Sequence, residues 1–322
     1  MTHMIYAGVD IGGTNIKIGL VDGEGNIIAD NSIKTNAGRP HSEILEDIVA
    51  DIRRLCDNAG VDFHEVDGIG LGIPGIVDQR TGTVSYCANL GWRDIPVTHL
   101  IEVISGKHAE AANDANCAAW GEYMYGSCRG MRNVILITLG TGVGSGIILD
   151  GKLFGGIATA GGEAGHMIIV KDGLQCNCGL KGCWERYASA TALVEQTKAA
   201  IEAHPYSLMA EIARRNGKIT ARTAFAALEK GDAEAKKVVD RYIDYVVTGL
   251  INLGNIFHPN AFVIGGGVSN EGAPLIAPLE DKLNAGLIAS AHNPRVRVLQ
   301  AALGNKAGMM GAAALAKENL KS

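Results

Sequence analysis

The sequence predicts an α/β protein of two lobes, each built on one copy of a duplicated sheet unit. Three observations lead there. The segments YAGVDIGGTNIKIGLVDGEG, from Tyr6, and VILITLGTGVGSGIILDGKL, from Val134, share one order: apolar run, Gly/Thr turn, second alternating run, then an Asp-Gly turn suited to a hairpin. A shift of 128 positions superposes Gly12 on Gly140, Leu20 on Ile148, Asp22 on Asp150 and Gly23 on Gly151. Each copy is followed by strands alternating with helical stretches, the pattern of α/β chains with mixed sheets. Many of the 43 glycines stand in short groups after apolar runs, where they let backbone approach a ligand closely.

After the first copy the pattern predicts a helix over 42–59, a strand ending in GIGLGIPG (Gly68 to Gly75) and a short hairpin. The stretch HAEAANDANCAAWGEYMYG then runs from strand into helix. After the second copy come helices over 187–204 and 232–253, a strand AFVIGGG (Ala261 to Gly267), a helix over 274–287 and a strand over 296–300. The last segment, from Ala307 to Leu320, reads as a helix able to pack back on the first lobe. No Pro/Ser linker or low-complexity run separates the lobes, so the boundary near 118 comes from the repeat alone. The expected division is a small lobe of 1–118, completed by a helix of 307–322, and a large lobe of 119–306. Two such lobes leave a cleft between them.

Composition narrows the function classes. With 322 residues, 47% hydrophobic and 20% charged, the chain has enough apolar content for a sizeable core. The start, MTHMIYAGVDIGG, lacks a basic region leading into an apolar segment, so a cytoplasmic location is expected. The uncharged stretch Val134 to Leu149 is broken by four glycines and falls short of the roughly 20 residues a membrane helix needs. No membrane partner is expected. A net charge of -5, with Lys and Arg dispersed, argues against nucleic acid as a ligand.

Three glycine turns at strand ends point to a nucleotide. In DIGGTN, from Asp10 to Asn15, small residues expose backbone N–H groups to a phosphate, Thr14 adds a hydroxyl, and Asp10 is able to hold a metal ion through water. The segment is neither a Walker loop nor a Rossmann fingerprint, because the IKIGLV that follows alternates like a strand. A plain hairpin turn is the competing reading. GTGVGSG (Gly140 to Gly146) is a second turn of this type, and GGGV (Gly265 to Val268), placed after a strand and before a helix, is a third.

The segments GVDIGGTNIKIGLVD, LGTGVGSGIILDGKLFGGIATAGGEAGH (Leu139 to His166) and CNCGLKGCWERYAS together resemble the ROK family of sugar kinases and repressors, and most closely its bacterial glucokinases. The resemblance extends over nearly the whole chain. It implies a two-lobed actin-like ATPase (ribonuclease H-like) fold, ATP with Mg2+ as phosphoryl donor, and a homodimer or dimer of dimers. It also implies nucleotide contacts. Asp10, Gly12, Gly13, Thr14, Asn15, Lys17, Thr138, Gly140, Thr141 and Gly142 are expected toward the phosphates, and Gly265, Gly266, Gly267 and Val268 toward the adenosine.

Asp114, in AANDANCAAWGE, has two readings. A sugar kinase must place an acceptor hydroxyl in line with the γ-phosphate and take up its proton, a task that suits a carboxylate. Asn and Asp before an Ala-rich helical run are also ordinary helix caps. The resemblance carries Asp114 over as the catalytic Asp and Asn113 as a sugar contact. Asn89, Pro74 and Gly75 are expected in the same pocket.

CNCGLKGCWE places three cysteines in eight positions of a seven-cysteine chain that otherwise lacks a disulfide framework. A disulfide is the competing reading, but three thiols cannot all pair. His166 with Cys176, Cys178 and Cys183 supplies one imidazole and three thiolates, a set that satisfies tetrahedral Zn2+ with no open position and therefore suits a structural ion. The resemblance adds Glu163, His166 and Glu185 as sugar contacts, so the ion would rigidify a sugar-binding shell. The expected reaction is phosphorylation of the 6-hydroxyl of a hexose, glucose first, with N-acetylmannosamine or N-acetylglucosamine as alternatives. A sugar-responsive ROK repressor is the reading from another class. Such proteins carry an added DNA-binding segment, and here the first hairpin begins at about Tyr6. A sugar-binding protein with a decayed kinase site and polyphosphate as donor are further alternatives.

Overall fold

Strand β1 (Ile5–Ile11) is buried along nearly its whole length, which is why IYAGVDI shows no polar alternation: both of its faces are covered. The structure, a computed structural model, describes residues 4–157, 160–288 and 291–319. The remaining strands are β2 (Asn15–Asp22), β3 (Ile27–Lys34), β4 (Val66–Ile73), β5 (Ile76–Asp78), β6 (Thr83–Cys87), β7 (Trp92–Ile95) and β8 (His108–Asn113). After them come β9 (Val134–Leu139), β10 (Val143–Leu149), β11 (Lys152–Phe154), β12 (Ala261–Gly265) and β13 (Arg297–Gln300). The helices begin with α1 (His41–Ala59), α2 (Val97–Ser105), α3 (Asp114–Tyr125), α4 (Glu185–Ala188) and α5 (Ala190–Ala203). They continue with α6 (Leu208–Asn216), α7 (Ala221–Leu228), α8 (Ala233–Phe257), α9 (Ala273–Gly286) and α10 (Ala307–Asn319).

Two five-stranded sheets carry the repeat. Their orders, β3-β2-β1-β4-β8 and β11-β10-β9-β12-β13, are the same arrangement twice. In the first, β1 pairs antiparallel with β2 and parallel with β4, which pairs parallel with β8. In the second, β10 pairs antiparallel with β11, and β12 lies parallel to both β9 and β13. A separate sheet, β5-β6-β7, extends the short hairpin expected after β4 by one strand.

The chain divides into two compact units, Met1–Arg132 with Gly146–Gly162 and Ala302–Ser322, and Asn133–Ser145 with Glu163–Ala301. The first boundary therefore follows α3. A division at 118 would cut that helix, whose Ala-rich sequence hides its continuity with β8.

In the first unit, Ile16, Ile18 and Leu20 of β2 and Ile44, Leu45, Ile48 and Ile52 of α1 are fully buried in one cluster. Burial of each such side chain contributes about 1.5–3 kcal/mol. The edge strand β3 alternates between half-buried and exposed residues, as a strand with one wet face must. Helix α10 covers the other face of the sheet, packing on β1, β4 and α3. Its small residues and a glycine beneath it set the separation: a Cβ on Gly70 would stand 1.7 Å from the Ala312 carbonyl oxygen. The expected extension of this helix to 320–322 lies outside the described residues.

In the second unit, the helix expected over 187–204 is two helices. Ser189 separates them because its hydroxyl accepts from the Ala192 N–H at 3.0 Å and caps α5. Helices α6 and α7 occupy a stretch that the sequence pattern leaves unassigned, and each is only two turns long and begins at a hydroxyl residue, Ser207 or Thr220. The long α8 carries the contacts of the cysteine segment. Fully buried Trp184 donates through Nε1 to the Tyr245 carbonyl at 2.8 Å, and Tyr242 Oη donates to the Ala188 carbonyl at 2.8 Å. Among the described residues no helix is long and apolar enough to cross a membrane.

Candidate active site

In the first unit, the hairpin between β1 and β2 holds Gly12, Gly13 and Thr14 in a closed turn. Gly12 N donates to the Asn15 carbonyl at 3.0 Å, and Thr35 Oγ1 donates to the Gly12 carbonyl at 2.6 Å. Gly13, Thr14 and Asn15 are exposed at its tip. Asp10 and Lys17 are register partners across the two strands, with Lys17 Nζ 3.7 Å from Asp10 Oδ2. The same ammonium donates to the Asn305 carbonyl at 2.9 Å. That carbonyl belongs to a turn 288 residues away, and no local motif marks it.

Asp114 begins α3 at the end of β8. Its Oδ1 accepts from the Ala115 N–H at 2.9 Å. Asn113 is the N-cap proper, accepting from Ala115 N at 2.9 Å and Asn116 N at 3.2 Å. Its amide also donates to the Gly75 carbonyl at 3.0 Å, so the Pro74-Gly75 bend after β4 is fastened to the start of α3. The two readings of Asp114 thus separate: Asn113 does most of the capping, and Asp114 stands next to it. Exposed Asn89, between β6 and β7, lies beside Gly13, whose added Cβ would be 3.7 Å from the Asn89 Cβ.

The electrostatics are those of two carboxyls in one poorly solvated place. Burial pushes the Asp10 carboxyl up to about 6, Lys17 opposes the rise, and the Asp114 charge adds to it. Burial likewise raises Asp114, against the pull of the Ala115 N–H and other local donors. Helix α10 begins against Asp10: a Cβ on Gly308 would lie 2.9 Å from the Asp10 carboxyl carbon.

In the second unit, the β9–β10 turn is held from outside. Gly140 N donates to the Gly142 carbonyl at 3.0 Å, while the Gly140 carbonyl accepts from Ala190 N at 2.8 Å. Thr191 Oγ1 donates to the Thr141 carbonyl at 2.8 Å, and Val143 N donates to Glu185 Oε2 at 3.0 Å. A Cβ on Gly142 would come within 2.2 Å of that Glu185 oxygen, so a side chain there would push the carboxylate off the turn. Glu185, expected among sugar contacts, therefore spends one carboxylate oxygen on this turn. Thr138 pairs in register with Gly265, which brings the GGGV turn beside the same hairpin. Gly266 and Gly267 are exposed, but Val268 is 1% exposed. Its side chain belongs to the core, as an apolar residue opening a 3₁₀ turn buries itself.

His166, Cys176, Cys178 and Cys183 come together with their ligand atoms all within 4.8 Å of one another. A backbone bridge between Ile168 and Cys183, and Trp184 N donating to the Met167 carbonyl at 2.8 Å, join GGEAGHM to CWE. Tetrahedral Zn2+, with bonds of about 2.3 Å to sulfur and about 2.0–2.1 Å to nitrogen, spaces its ligand atoms by roughly 3.5–3.8 Å. Here Cys178 Sγ and Cys183 Sγ are 3.6 Å apart, and Cys176 Sγ is 3.7 Å from His166 Nδ1. The donor set and spacing fit that ion, and all seven cysteines are free thiols. Because Nδ1 is the nitrogen facing the thiols, Nε2 is the one left for another partner. Glu163 precedes the short 164–166 turn, and Ala164 N donates to Ser145 Oγ at 3.0 Å.

The profile of the ROK family matches residues 6–319. The chain belongs to the ROK family. A glucokinase of Streptomyces coelicolor is 40% identical over 314 residues, 97% of each chain. The crystal structure of a ROK family glucokinase from Streptomyces griseus, in complex with glucose and AMPPNP, aligns with a TM-score of 0.81 at 38% identity and covers 98% of this chain and 99% of that one. A ROK family transcriptional regulator, a homologue of the E. coli MLC protein, aligns with a TM-score of 0.85 at 25% identity, covering 97% of this chain and 77% of that one. The actin-like fold expected from the sequence is thus the ROK fold, and the repeated sheet order is its duplicated unit.

Proposed function

We propose that this ROK protein is an ATP-dependent glucokinase, transferring the γ-phosphoryl group of ATP to the 6-hydroxyl of glucose. The observation that carries the reading is the Asp114 carboxyl, set at the start of α3 beside the Asn113 cap, with its affinity for a proton raised by burial. The similarity along the full chain to glucokinases of Streptomyces supports the same substrate and donor.

Asp114 accepts the proton of the sugar hydroxyl as the new O–P bond forms; the bond from phosphorus to the β,γ-bridging oxygen breaks, and ADP leaves with that electron pair. Lys17 and the exposed N–H groups of Gly13 and Thr14 suit phosphate oxygens, with Gly12 closing the turn through its bond to the Asn15 carbonyl and Asn15 at the rim. Thr138, Gly140, Thr141 and Gly142 form the corresponding turn of the second unit, and Gly265, Gly266 and Gly267 suit the adenosine. Asp10 is the residue to hold Mg2+ through water, and the ion when bound neutralises charge on the phosphates. Pro74, Gly75, Asn89 and Asn113 suit sugar hydroxyls on the first unit; Glu163, His166 through Nε2, and Glu185 suit them on the second. His166, Cys176, Cys178 and Cys183 would hold Zn2+, whose contribution is to fix the ring plane and tautomer of His166. The same reading includes a cytoplasmic homodimer or dimer of dimers.

A sugar panel with ATP and magnesium tests the assignment by sugar-dependent ADP release. The highest kcat/KM is expected for glucose; a higher value for N-acetylmannosamine or N-acetylglucosamine would replace it.

A further inference from the structure

Helix α3, which begins at Asp114, carries a second acid near its other end. Glu122 is fully buried, and both of its carboxylate oxygens accept hydrogen bonds. Oε1 accepts from the Leu303 N–H at 2.7 Å, while Oε2 accepts from the Ser127 N–H at 2.9 Å and from Ser127 Oγ at 3.1 Å. A Cβ on Gly126 would strike Oε2, so the helix ends on a glycine where the carboxylate needs room. The kinase reaction as described leaves this acid without a task.

Burying a carboxylate is costly unless donors fill its oxygens, so the donors show what Glu122 holds. Ser127 is local. Leu303 lies 181 residues away and opens the turn Gly304–Lys306, which closes as Lys306 N donates to the Leu303 carbonyl at 3.0 Å. The Asn305 carbonyl of that turn is the one that accepts from Lys17 Nζ at 2.9 Å. A further fastening of the turn, Lys306 Nζ to Asp30 Oδ1 at 3.0 Å, is exposed on both sides and therefore weak. The bond from Glu122 is short, buried and charge-assisted.

A lysine ammonium is a point charge on a flexible four-carbon stem, with three protons to donate. The Asn305 carbonyl takes one and fixes the stem, which leaves donor capacity for a phosphate oxygen. We propose that Glu122 is a positioning residue for phosphoryl transfer: by gripping Leu303 N it sets the Asn305 carbonyl, and through that carbonyl it aims Lys17. The inference rests on the reading that Lys17 meets the phosphates, and it ties both ends of α3 to one reaction, Asp114 at the acceptor and Glu122 behind the donor.

The test is a double-mutant cycle on kcat, measured by ADP release at saturating ATP and magnesium with whichever sugar of the panel turns over best. Two variants cut the same bond from opposite ends. Glu122→Met keeps the length of the side chain and removes its acceptors; Leu303→Pro removes the donor from a half-buried turn residue whose φ of -84° lies close to that of proline, so folding is kept. Each should lower kcat about 3- to 10-fold and leave KM for the sugar in place, and neither should lower it further in a Lys17→Met background. Wild-type kcat in Leu303→Pro, the same loss with and without Lys17, or an equal loss of sugar affinity would each overturn the proposal. A Lys17→Met protein with wild-type kcat, or no turnover on any sugar, would instead remove the reading beneath it and the proposal with it; a best sugar other than glucose revises the substrate alone and leaves the cycle intact.

Discussion

The two glycine hairpins hold equivalent places in the duplicated sheets, yet different chemistry keeps them in shape. The first carries its own charges: Asp10 faces Lys17 across the strands, and burial leaves both carboxyls, Asp10 and Asp114, holding protons more tightly than usual. At the positions 128 residues on, Thr138 replaces Asp10 and Ser145 replaces Lys17. The second hairpin has no charge of its own there and is gripped by its neighbours, by Glu185 and Thr191 at the turn and by Ala164 N at Ser145. The difference teaches that one copy of a repeated unit carries a titratable pair in its own strands while the other is held by hydrogen bonds from segments that flank the cysteine-histidine cluster. Substitutions in the first copy should therefore act on kcat, and those around the second on KM.

The largest effect is expected at Asp114. Asp114→Ala should lower kcat by about 10²- to 10⁴-fold, with glucose affinity changed far less. Steady-state kinetics with a parallel glucose titration checks this, and turnover near wild type would remove Asp114 from proton transfer. Next comes the knot. Cys178→Ser should release zinc, measured by metal analysis, and raise KM for glucose roughly tenfold or more through loss of His166 orientation. A variant without metal but with an unchanged KM would detach the knot from recognition.

Asp10→Asn should separate stability from activity. A carboxyl whose folded value lies above its unfolded one contributes stability while protonated, and that contribution is lost as pH rises from about 4 through about 6. The unliganded wild type should thus lose up to about 3 kcal/mol over this window, which Asp10→Asn should not. Thermal melts at pH 4 and pH 7.5 should place the variant above wild type only at the higher pH, although its turnover falls. Equal pH dependence in both would contradict the environment assigned to Asp10. The smallest effect is at Thr191. Thr191→Val removes one hydrogen bond to the Thr141 carbonyl and should raise KM for ATP about 2- to 10-fold, leaving KM for glucose in place. Thr191→Ser should restore it.

Sequence made the architecture legible where chemistry was local. The repeat at Gly12 and Gly140 foretold the matched sheet orders, because a glycine turn between apolar runs encodes its own hairpin. The four ligand-type residues at 166, 176, 178 and 183 stood out by residue type alone, and the fold gathers them. Long-range partnerships were illegible. Nothing near Lys17 announces the Asn305 carbonyl, and nothing near Glu185 announces Val143 N. Asn113 and Asp114 were ambiguous because cap and carboxylate roles suit the same two residue types. The break at Ser189 and the burial of Val268 depend on packing against neighbours, which periodicity in a short segment does not encode.

Hydrogen exchange of the two hairpins, before and after metal is removed by chelation, tests the contrast between them most directly. Faster exchange is expected at Gly140 and Val143, whose turn is held by the elements joined to the cysteine segment, with no change from Gly12 to Lys17. Equal acceleration of both hairpins, or of neither, would contradict the division of labour described here.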